Sequence, residues 1–255
     1  MKKVFKLLLL ACLIFQLNTN AKEVKLIHIT DIDLNLDNAS KVLRTVKEIN
    51  SFKDVDFVVF GGNNLKSANI DNLNAFVYIL KKLKKKGYVL LGENDVLSTS
   101  GINKEYYLKK VRKSLFAHSK NPNYVFKKNG YVFVAMDGSK QFFKSTNGYY
   151  SKKELLWLEN VLNKYKNERI VILQHFPLLE NSSKWLETAK MEEYQELLNK
   201  HKNVKVIISG HYDENIETKK DDIYYIVTED YSKKGGYKII EIDLDYDFIA
   251  TYLVR

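Results

Sequence analysis

Five short loops of this chain carry the oxygen and imidazole nitrogen atoms that bind divalent metal ions in proteins. Each loop directly follows a hydrophobic run. In chain order the loops are Thr30-Asp31-Ile32-Asp33, Gly61-Gly62-Asn63-Asn64, Gly92-Glu93-Asn94-Asp95, Gln174-His175-Phe176 and Gly210-His211-Tyr212-Asp213. Ligands of open α/β sheets bind at loops on the carboxyl ends of the strands. The pattern therefore predicts one metal site built from loops that are far apart in the sequence.

The first three loops are predicted to meet because β-rich and helical segments alternate along this part of the chain. β-rich runs cover residues 24–30, 56–60 and 88–91, and helical spacing of apolar residues covers 38–51 and 70–86. This order is typical of parallel strands joined by crossover helices. Because parallel strands end on the same edge of a sheet, we expect these three loops side by side.

Local signals also define elements in the second half. Asn129-Gly130 is a strong turn signal between the β-rich runs 124–128 and 131–136, which predicts a hairpin. Ser151 is predicted to cap a helix, with Glu154 completing a capping box. The further predicted elements are helices over 104–117, 151–165 and 189–200, and strands over 170–174 and 204–209.

The last part of the chain is rich in alternating apolar residues. These runs cover 223–227, 237–244 and 248–254 and are predicted to be antiparallel strands of a second sheet. The expected fold class is α/β, an α+β sandwich of two packed mixed sheets flanked by helices. With 255 residues and 45% hydrophobic composition, the chain suits one domain with a substantial core.

The charge of the chain suggests a solvated surface. The formal net charge is +10, and runs such as Lys81–Lys86 fall where a helix is predicted to end, where cations are favourable. No stripe of alternating aromatic and basic residues is present, so we expect no nucleic-acid partner. The sequence carries no signal for a particular oligomeric state.

The amino terminus has the pattern of a secretory signal peptide. Lys2, Lys3 and Lys6 precede an apolar stretch over 7–17, and Thr19-Asn20-Ala21 resembles a cleavage site. The stretch is shorter than the roughly 20 apolar residues of a membrane span. We expect residues 1–21 to be removed, which leaves a domain over 22–255 that is secreted or lies in the periplasm or cell envelope. Lipidation at Cys12, the only cysteine, is the less favoured alternative.

The order and spacing of the five loops resemble those of the calcineurin-like metallophosphoesterases. That family's pattern is D-x-H, G-D, G-N-H-[DE], a lone H and G-H-x-H, and the resemblance runs from Val24 to Asp213. It implies a four-layer sandwich that holds one or two divalent metal ions and hydrolyses phosphomonoesters or phosphodiesters. The partner would be a phosphorylated small molecule or macromolecule.

Mapped onto this family, the chain keeps some site residues and replaces others. Retained positions are Asp31, His175 and His211 among the metal ligands, and Asp95 in the third motif. At metal-ligand positions, Asp33 and Asp213 stand in place of histidines, Glu93 in place of asparagine, and Asn63 in place of the bridging aspartate. Asn94 takes the position of the family's catalytic histidine. The resemblance therefore implies a rewired metal centre with Asn94 and Asp95 as the catalytic pair.

The substitutions point to particular ions. The site would contain four carboxylates, and these would repel each other unless a cation were bound. They are Asp31, Asp33, Glu93 and Asp213. An all-oxygen first site, from Asp31, Asp33, Asn63 and Asp213, favours magnesium, manganese or calcium. A mixed second site, from Glu93, His175 and His211, suits zinc, iron or manganese. One or two such divalent ions are the expected cofactors.

Two substitutions bear on catalysis. A neutral amide at Asn63 is a poor bridge for two ions, which two-metal hydrolysis holds about 3.5–4 Å apart. Asn94 cannot protonate a leaving group, and loss of a general acid typically costs about 10²–10⁴-fold in rate. Asn94 can still donate a hydrogen bond to a phosphoryl group. The favoured hypothesis is a secreted metal-dependent phosphoesterase, and the alternative is a catalytically inactive binding protein of the envelope with the same fold.

Overall fold

The computed structural model describes residues 23–115, 119–181, 183 and 186–255. The predicted signal peptide and Cys12 lie outside the described residues. The strands are β1 (Val24–Ile29), β2 (Phe57–Phe60), β3 (Lys86–Val89), β4 (Tyr124–Lys128), β5 (Tyr131–Met136), β6 (Arg169–Gln174), β7 (Val204–Ser209), β8 (Ile216–Lys220), β9 (Ile223–Val227), β10 (Tyr237–Asp243) and β11 (Phe248–Val254). The helices are α1 (Ala39–Ile49), α2 (Ile70–Leu80), α3 (Lys104–Arg112), α4 (Lys152–Lys164), α5 (Met191–Asn199) and α6 (Tyr231–Lys234), with a 3₁₀ turn at Ser98–Ser100.

The strands form two mixed sheets. One has five strands in the order β11-β10-β1-β2-β3, and the other has six in the order β4-β5-β6-β7-β9-β8. Strands β1, β2 and β3 are parallel, as are β5, β6, β7 and β9. The expected sandwich of two mixed sheets flanked by helices is confirmed.

Three apolar layers hold the sandwich together. The middle layer lies between the sheets, where Phe57, Phe133 and Val206 are buried. An outer layer packs α1, α2 and α3 against the five-stranded sheet, and another packs α4 and α5 against the six-stranded sheet. The alternation of side chains on each strand directs one set to the middle layer and the other to the helices.

The local signals in the second half are confirmed. Asn129 and Gly130 have φ angles of 49° and 84°, as the tight β4–β5 turn requires. The Ser151 side chain accepts a hydrogen bond from the Glu154 backbone, and Glu154 bonds back to the Ser151 backbone, which completes the capping box.

Two predicted helices were too long. Helix α2 ends at Leu80 rather than at residue 86, because the Asn50 side chain bonds the Lys82 carbonyl (2.9 Å) and the Lys84 backbone N–H (2.7 Å). These bonds turn the chain into β3. Helix α3 ends at Arg112 rather than at residue 117.

The prediction that the tail forms antiparallel strands of a second sheet was right about the antiparallel pairing of β10 and β11 and wrong about a separate sheet shared by all three strands. Strand β9 pairs in parallel with β7, whereas β10 pairs antiparallel with β1 and carries β11 at its outer edge. The tail therefore divides between both sheets, and β8 and α6 were not foreseen. Among the described residues, no helix is long and apolar enough to cross a membrane.

Candidate metal centre

All five donor loops lie at one edge of the sandwich. The first three follow β1, β2 and β3, and the last two follow β6 and β7. Backbone hydrogen bonds join them, from Asp31 N to Gly62 O (3.0 Å) and from Gly210 N to His175 O (3.0 Å). The predicted meeting of the first three loops is confirmed, and the fourth and fifth reach the same place from the other sheet.

The loops adopt backbone conformations that non-glycine residues rarely take. Left-handed φ angles occur at Asp31 (52°), Asp33 (45°), Asn63 (47°), His211 (72°) and Asp213 (56°). Such conformations cost of order 1–3 kcal/mol each and cluster at functional sites. Five of the predicted site residues, in the first, second and fifth loops, thus share a backbone conformation that is common at functional sites.

Asp31, His175 and His211 form a buried cluster. Each offers a potential ligand atom, and these atoms lie within 4.8 Å of one another. His175 Nε2 is 3.7 Å from Asp31 Oδ1. His175 Nδ1 lies 2.8 Å from the Gly61 carbonyl, which can only accept, so Nδ1 carries the hydrogen and Nε2 faces the cluster. Gly62 makes room for this ring, since a Cβ there would lie 2.6 Å from His175 Nδ1.

Glu93 contacts both histidines. Its Oε2 is 3.2 Å from His175 Nε2 and 3.6 Å from His211 Nδ1. Burial opposes charging of Glu93, but hydrogen bonding and charge from His175, the charge of His211 and the Asn63 amide outweigh it and lower its pKa to about 2. Burial likewise opposes charging of His175, and is outweighed by Asp31, Glu93 and the Gly61 carbonyl, which raise its pKa to about 9.

These donors fit a divalent metal ion. A carboxylate and two imidazoles are a common ligand set for zinc, iron and manganese. The hydrogen bond from His175 Nδ1 to a carbonyl is the support that fixes the orientation of a metal-binding histidine. Burial raises the pKa of Asp31, so a nearby cation would stabilise its charged form, and burial lowers the pKa of His211, which keeps its ring in the neutral form that binds a cation.

Asn63 lies between the two site carboxylates. Its Oδ1 accepts a hydrogen bond from the Asn94 backbone N–H (3.0 Å). Its Nδ2 donates to Asp31 Oδ1 (3.1 Å) and Glu93 Oε1 (2.8 Å). The amide nitrogen, rather than the oxygen of the predicted ligand, therefore faces the cluster.

The other predicted site residues lie around this centre. The Asn94 side chain is 3.4 Å from Asp33 Oδ1, and burial, with Asp31 and Asp230 nearby, raises the pKa of Asp33 to about 6. Asp213 is partly exposed and forms an ion pair with Lys233. The roles of Asp33, Asp213 and Asn94 stay predictions.

Asp95 holds the loops rather than facing the cluster. Its carboxylate accepts hydrogen bonds from the backbone of Leu65 (2.9 Å) and Gly92 (2.8 Å) and from the Asn64 side chain (3.2 Å). Burial raises its pKa to about 7, against these hydrogen bonds. The predicted catalytic role of Asp95 stays a prediction, and its contacts are those of a positioning residue.

A sixth loop of the site was missed. It follows β9 and includes Asp230, Ser232 and Lys233. The Ser232 backbone N–H donates to Asp31 O (2.9 Å), and its hydroxyl lies 3.3 Å from Asp33 Oδ2. The signal that identified the other five loops, side chains with oxygen or imidazole ligand atoms just after an apolar strand, is also present at Glu229-Asp230.

Metal affinity is expected to rise with pH. His175 stays protonated up to a pKa of about 9 without a metal, and only the neutral ring binds a cation. Binding below that pH must release this proton, so the apparent Kd should fall about tenfold per pH unit until the pKa is passed. Calorimetric titration with manganese in buffers of different ionisation enthalpy measures both Kd and proton release. A Kd that is constant through the neutral range would contradict this prediction.

Comparison with known proteins identifies the family to which this fold and these donor loops belong. The family model described as calcineurin-like phosphoesterase matches residues 24–213. No curated protein matches the chain. A dimetal phosphatase from Danio rerio is similar over 89% of this chain and 98% of its own, at 14% identity and a TM-score of 0.69.

Two further solved structures share the fold. GAP50 of Plasmodium, described as the anchor in the inner membrane complex, matches over 91% of this chain and 84% of its own, at 17% identity and a TM-score of 0.64. Phosphopantetheinyl hydrolase from Mycobacterium tuberculosis matches over 91% and 96%, at 12% identity and a TM-score of 0.54. The family match spans most of the chain and ends at the last donor loop, so the chain belongs to the calcineurin-like phosphoesterase family.

Proposed function

We propose that the chain is a metal-dependent phosphoesterase that hydrolyses phosphomonoesters or phosphodiesters. The observation that carries the proposal is the buried cluster of Asp31, His175 and His211 at the strand ends. A divalent ion bound there would act as a Lewis acid on a phosphoryl oxygen. Family membership supports a hydrolase of this class.

The surrounding residues can position a phosphoryl group. A cavity of about 170 Å³ borders the cluster through Glu93 and is also lined by Asn94, Ser67 and Lys144, among others. We propose that the Asn94 amide and the Lys144 ammonium bind the phosphoryl oxygens there. The apolar side chains of Val96 and Leu97, which also line this cavity, would limit access of water.

A second candidate function is recognition of a phosphorylated ligand without hydrolysis. Asn94 favours it, because an amide cannot deliver a proton to the leaving group as the family's histidine does. The same cavity and the same donors would then hold the ligand. For either function we propose export to the cell envelope or exterior, which rests on the sequence pattern of residues 1–21.

Metal analysis and turnover separate these candidates. The purified mature chain is incubated with manganese, magnesium, calcium, iron or zinc and assayed on a generic aryl phosphomonoester and phosphodiester. Turnover that needs the metal and stops with a chelator supports the hydrolase. Metal binding without turnover, together with binding of inorganic phosphate, supports the inactive binder. No metal binding under any condition would overturn both.

Changing Lys144 to alanine is expected to lower kcat/KM about tenfold, since a charge-assisted hydrogen bond contributes about 1.5–3 kcal/mol and this side chain is exposed. The loss should fall mainly on KM, because a charge of this kind binds substrate and transition state alike. Steady-state kinetics on the better substrate measures the effect. The matched control is Lys166→Ala, another exposed lysine, just beyond α4. Equal kinetics for both variants would remove Lys144 from the site.

A further inference from the structure

Two side chains of the chain itself already bind acidic residues in and around the cluster, by hydrogen bonds from an amide and by an ion pair. Asn63 is the first of these. The backbone N–H of Asn94 can only donate, so the amide oxygen of Asn63 must face it. That leaves both hydrogens of Nδ2 for Asp31 and Glu93, at 3.1 and 2.8 Å.

Turning the Asn63 amide over would be unfavourable on both sides. Its NH₂ group would then face the Asn94 N–H, and its oxygen would face two carboxylates. The amide is also packed against Gly92, where a Cβ would lie 2.3 Å from Asn63 Oδ1. An amide nitrogen has no lone pair available for a metal ion, so Asn63 occupies the bridging position with a donor.

Lys233 is the second of these side chains and lies at the exposed rim of the centre, with 58% of its side chain accessible. Its ammonium pairs with Asp213 and lies 3.6 Å from Asp230 Oδ2. Helix α6 holds this lysine in place, because the Tyr231 backbone N–H donates to Thr30 O (3.1 Å). Asp213, one of the predicted ligands of a first ion, is therefore paired with a built-in cation.

Asp33, the remaining ligand predicted for that ion, also has internal partners. Its two oxygens lie 3.4 Å from Asn94 Nδ2 and 3.3 Å from Ser232 Oγ. By contrast, His175 Nε2 and His211 Nδ1 lie 3.2 and 3.6 Å from the same atom, Glu93 Oε2. Asp31, His175 and His211 offer ligand atoms within 4.8 Å of one another, close enough to share one ion.

We infer that the chain binds one divalent ion, at Asp31, His175 and His211 beside Glu93, and that the Asn63 amide and the Lys233 ammonium replace the second ion of a two-metal centre. The inference rests on the proposed metal site. Beyond the proposed metal site, the inference specifies the number of bound ions and the two residues that set this number.

Metal stoichiometry tests the inference without an activity assay. The full chain is titrated with manganese, and bound ions are counted by native mass spectrometry and by metal analysis after buffer exchange. Electron paramagnetic resonance then distinguishes an isolated manganese ion from a spin-coupled pair. We expect one ion per chain and the spectrum of an isolated ion. Two ions per chain in the wild type would overturn the inference but leave the proposed function in place, whereas none would overturn both.

Variants test the two residues named. Asn63→Asp combined with Lys233→Ala is expected to bind a second ion and to give a coupled spectrum. The matched control is Asn63→Asp combined with Lys234→Ala, since Lys234 neighbours Lys233 and its nearest acidic partner is Glu229 at 3.8 Å. That control should bind fewer ions than the test variant. If the test variant, folded by circular dichroism, still binds one ion, the assignment of Asn63 and Lys233 is wrong.

Discussion

Replacing His175 with alanine should weaken metal binding by more than about 100-fold, since loss of even a supporting residue of a metal ligand costs 10–100-fold. His175 is fully buried, and its ring orientation is fixed by the Gly61 carbonyl. The change removes a ligand and leaves Asp31 and Glu93 without their positive partner. Turnover should fall by about 10³-fold or more, because Lewis-acid stabilisation of several kcal/mol is lost.

Calorimetry with manganese and steady-state kinetics measure the two effects. Asp31→Asn is a second variant that keeps the side-chain shape and its contact with the His211 backbone while removing the charge, and it should behave in the same way. His201→Ala is the matched control, since His201 lies in the turn after α5, outside the five loops. Full metal affinity in folded His175→Ala would show that the ion binds elsewhere.

Replacing Phe133 with alanine should lower the free energy of unfolding by about 3–5 kcal/mol. Phe133 on β5 is fully buried between the sheets. Its ring stacks on Phe126 at 4.9 Å and meets Phe57 edge-on at 5.1 Å. The loss includes the transfer energy of the ring, the cavity left behind and these aromatic contacts.

A melting temperature about 6–20 °C lower is expected, since each kcal/mol shifts a domain of this size by about 2–4 °C. Differential scanning calorimetry and chemical denaturation measure the change. Phe142→Ala is the matched control, because Phe142 is 74% exposed and its loss should alter stability by less than about 0.5 kcal/mol. Equal melting of the two variants would contradict the packing described between the sheets.

Much of the fold could be predicted from local pattern. Hydrophobic periodicity located β1, β2 and β7, and turn and capping chemistry located the Asn129-Gly130 hairpin and the Ser151 cap. These features depend on residues close in sequence, so they are visible in it. The pairing of the tail strands is not local. Which sheet β9 and β10 join depends on long-range packing between layers, which the alternating pattern of either strand does not encode.

For the candidate site, too, the sequence determined some features and the tertiary structure determined others. Residue types and their spacing after strands identified the five loops, and with them Asp31, His175 and His211, which the fold brings together. The tertiary structure decided which atoms of these loops face one another. Asn63 turns its nitrogen to the carboxylates because Asn94, 31 residues away, presents a backbone donor to its oxygen. Asp213 pairs with Lys233 because α6 docks against the Asp31 loop. A sequence states which donors are available, but hydrogen bonds and ion pairs between distant residues decide how each one is oriented and neutralised.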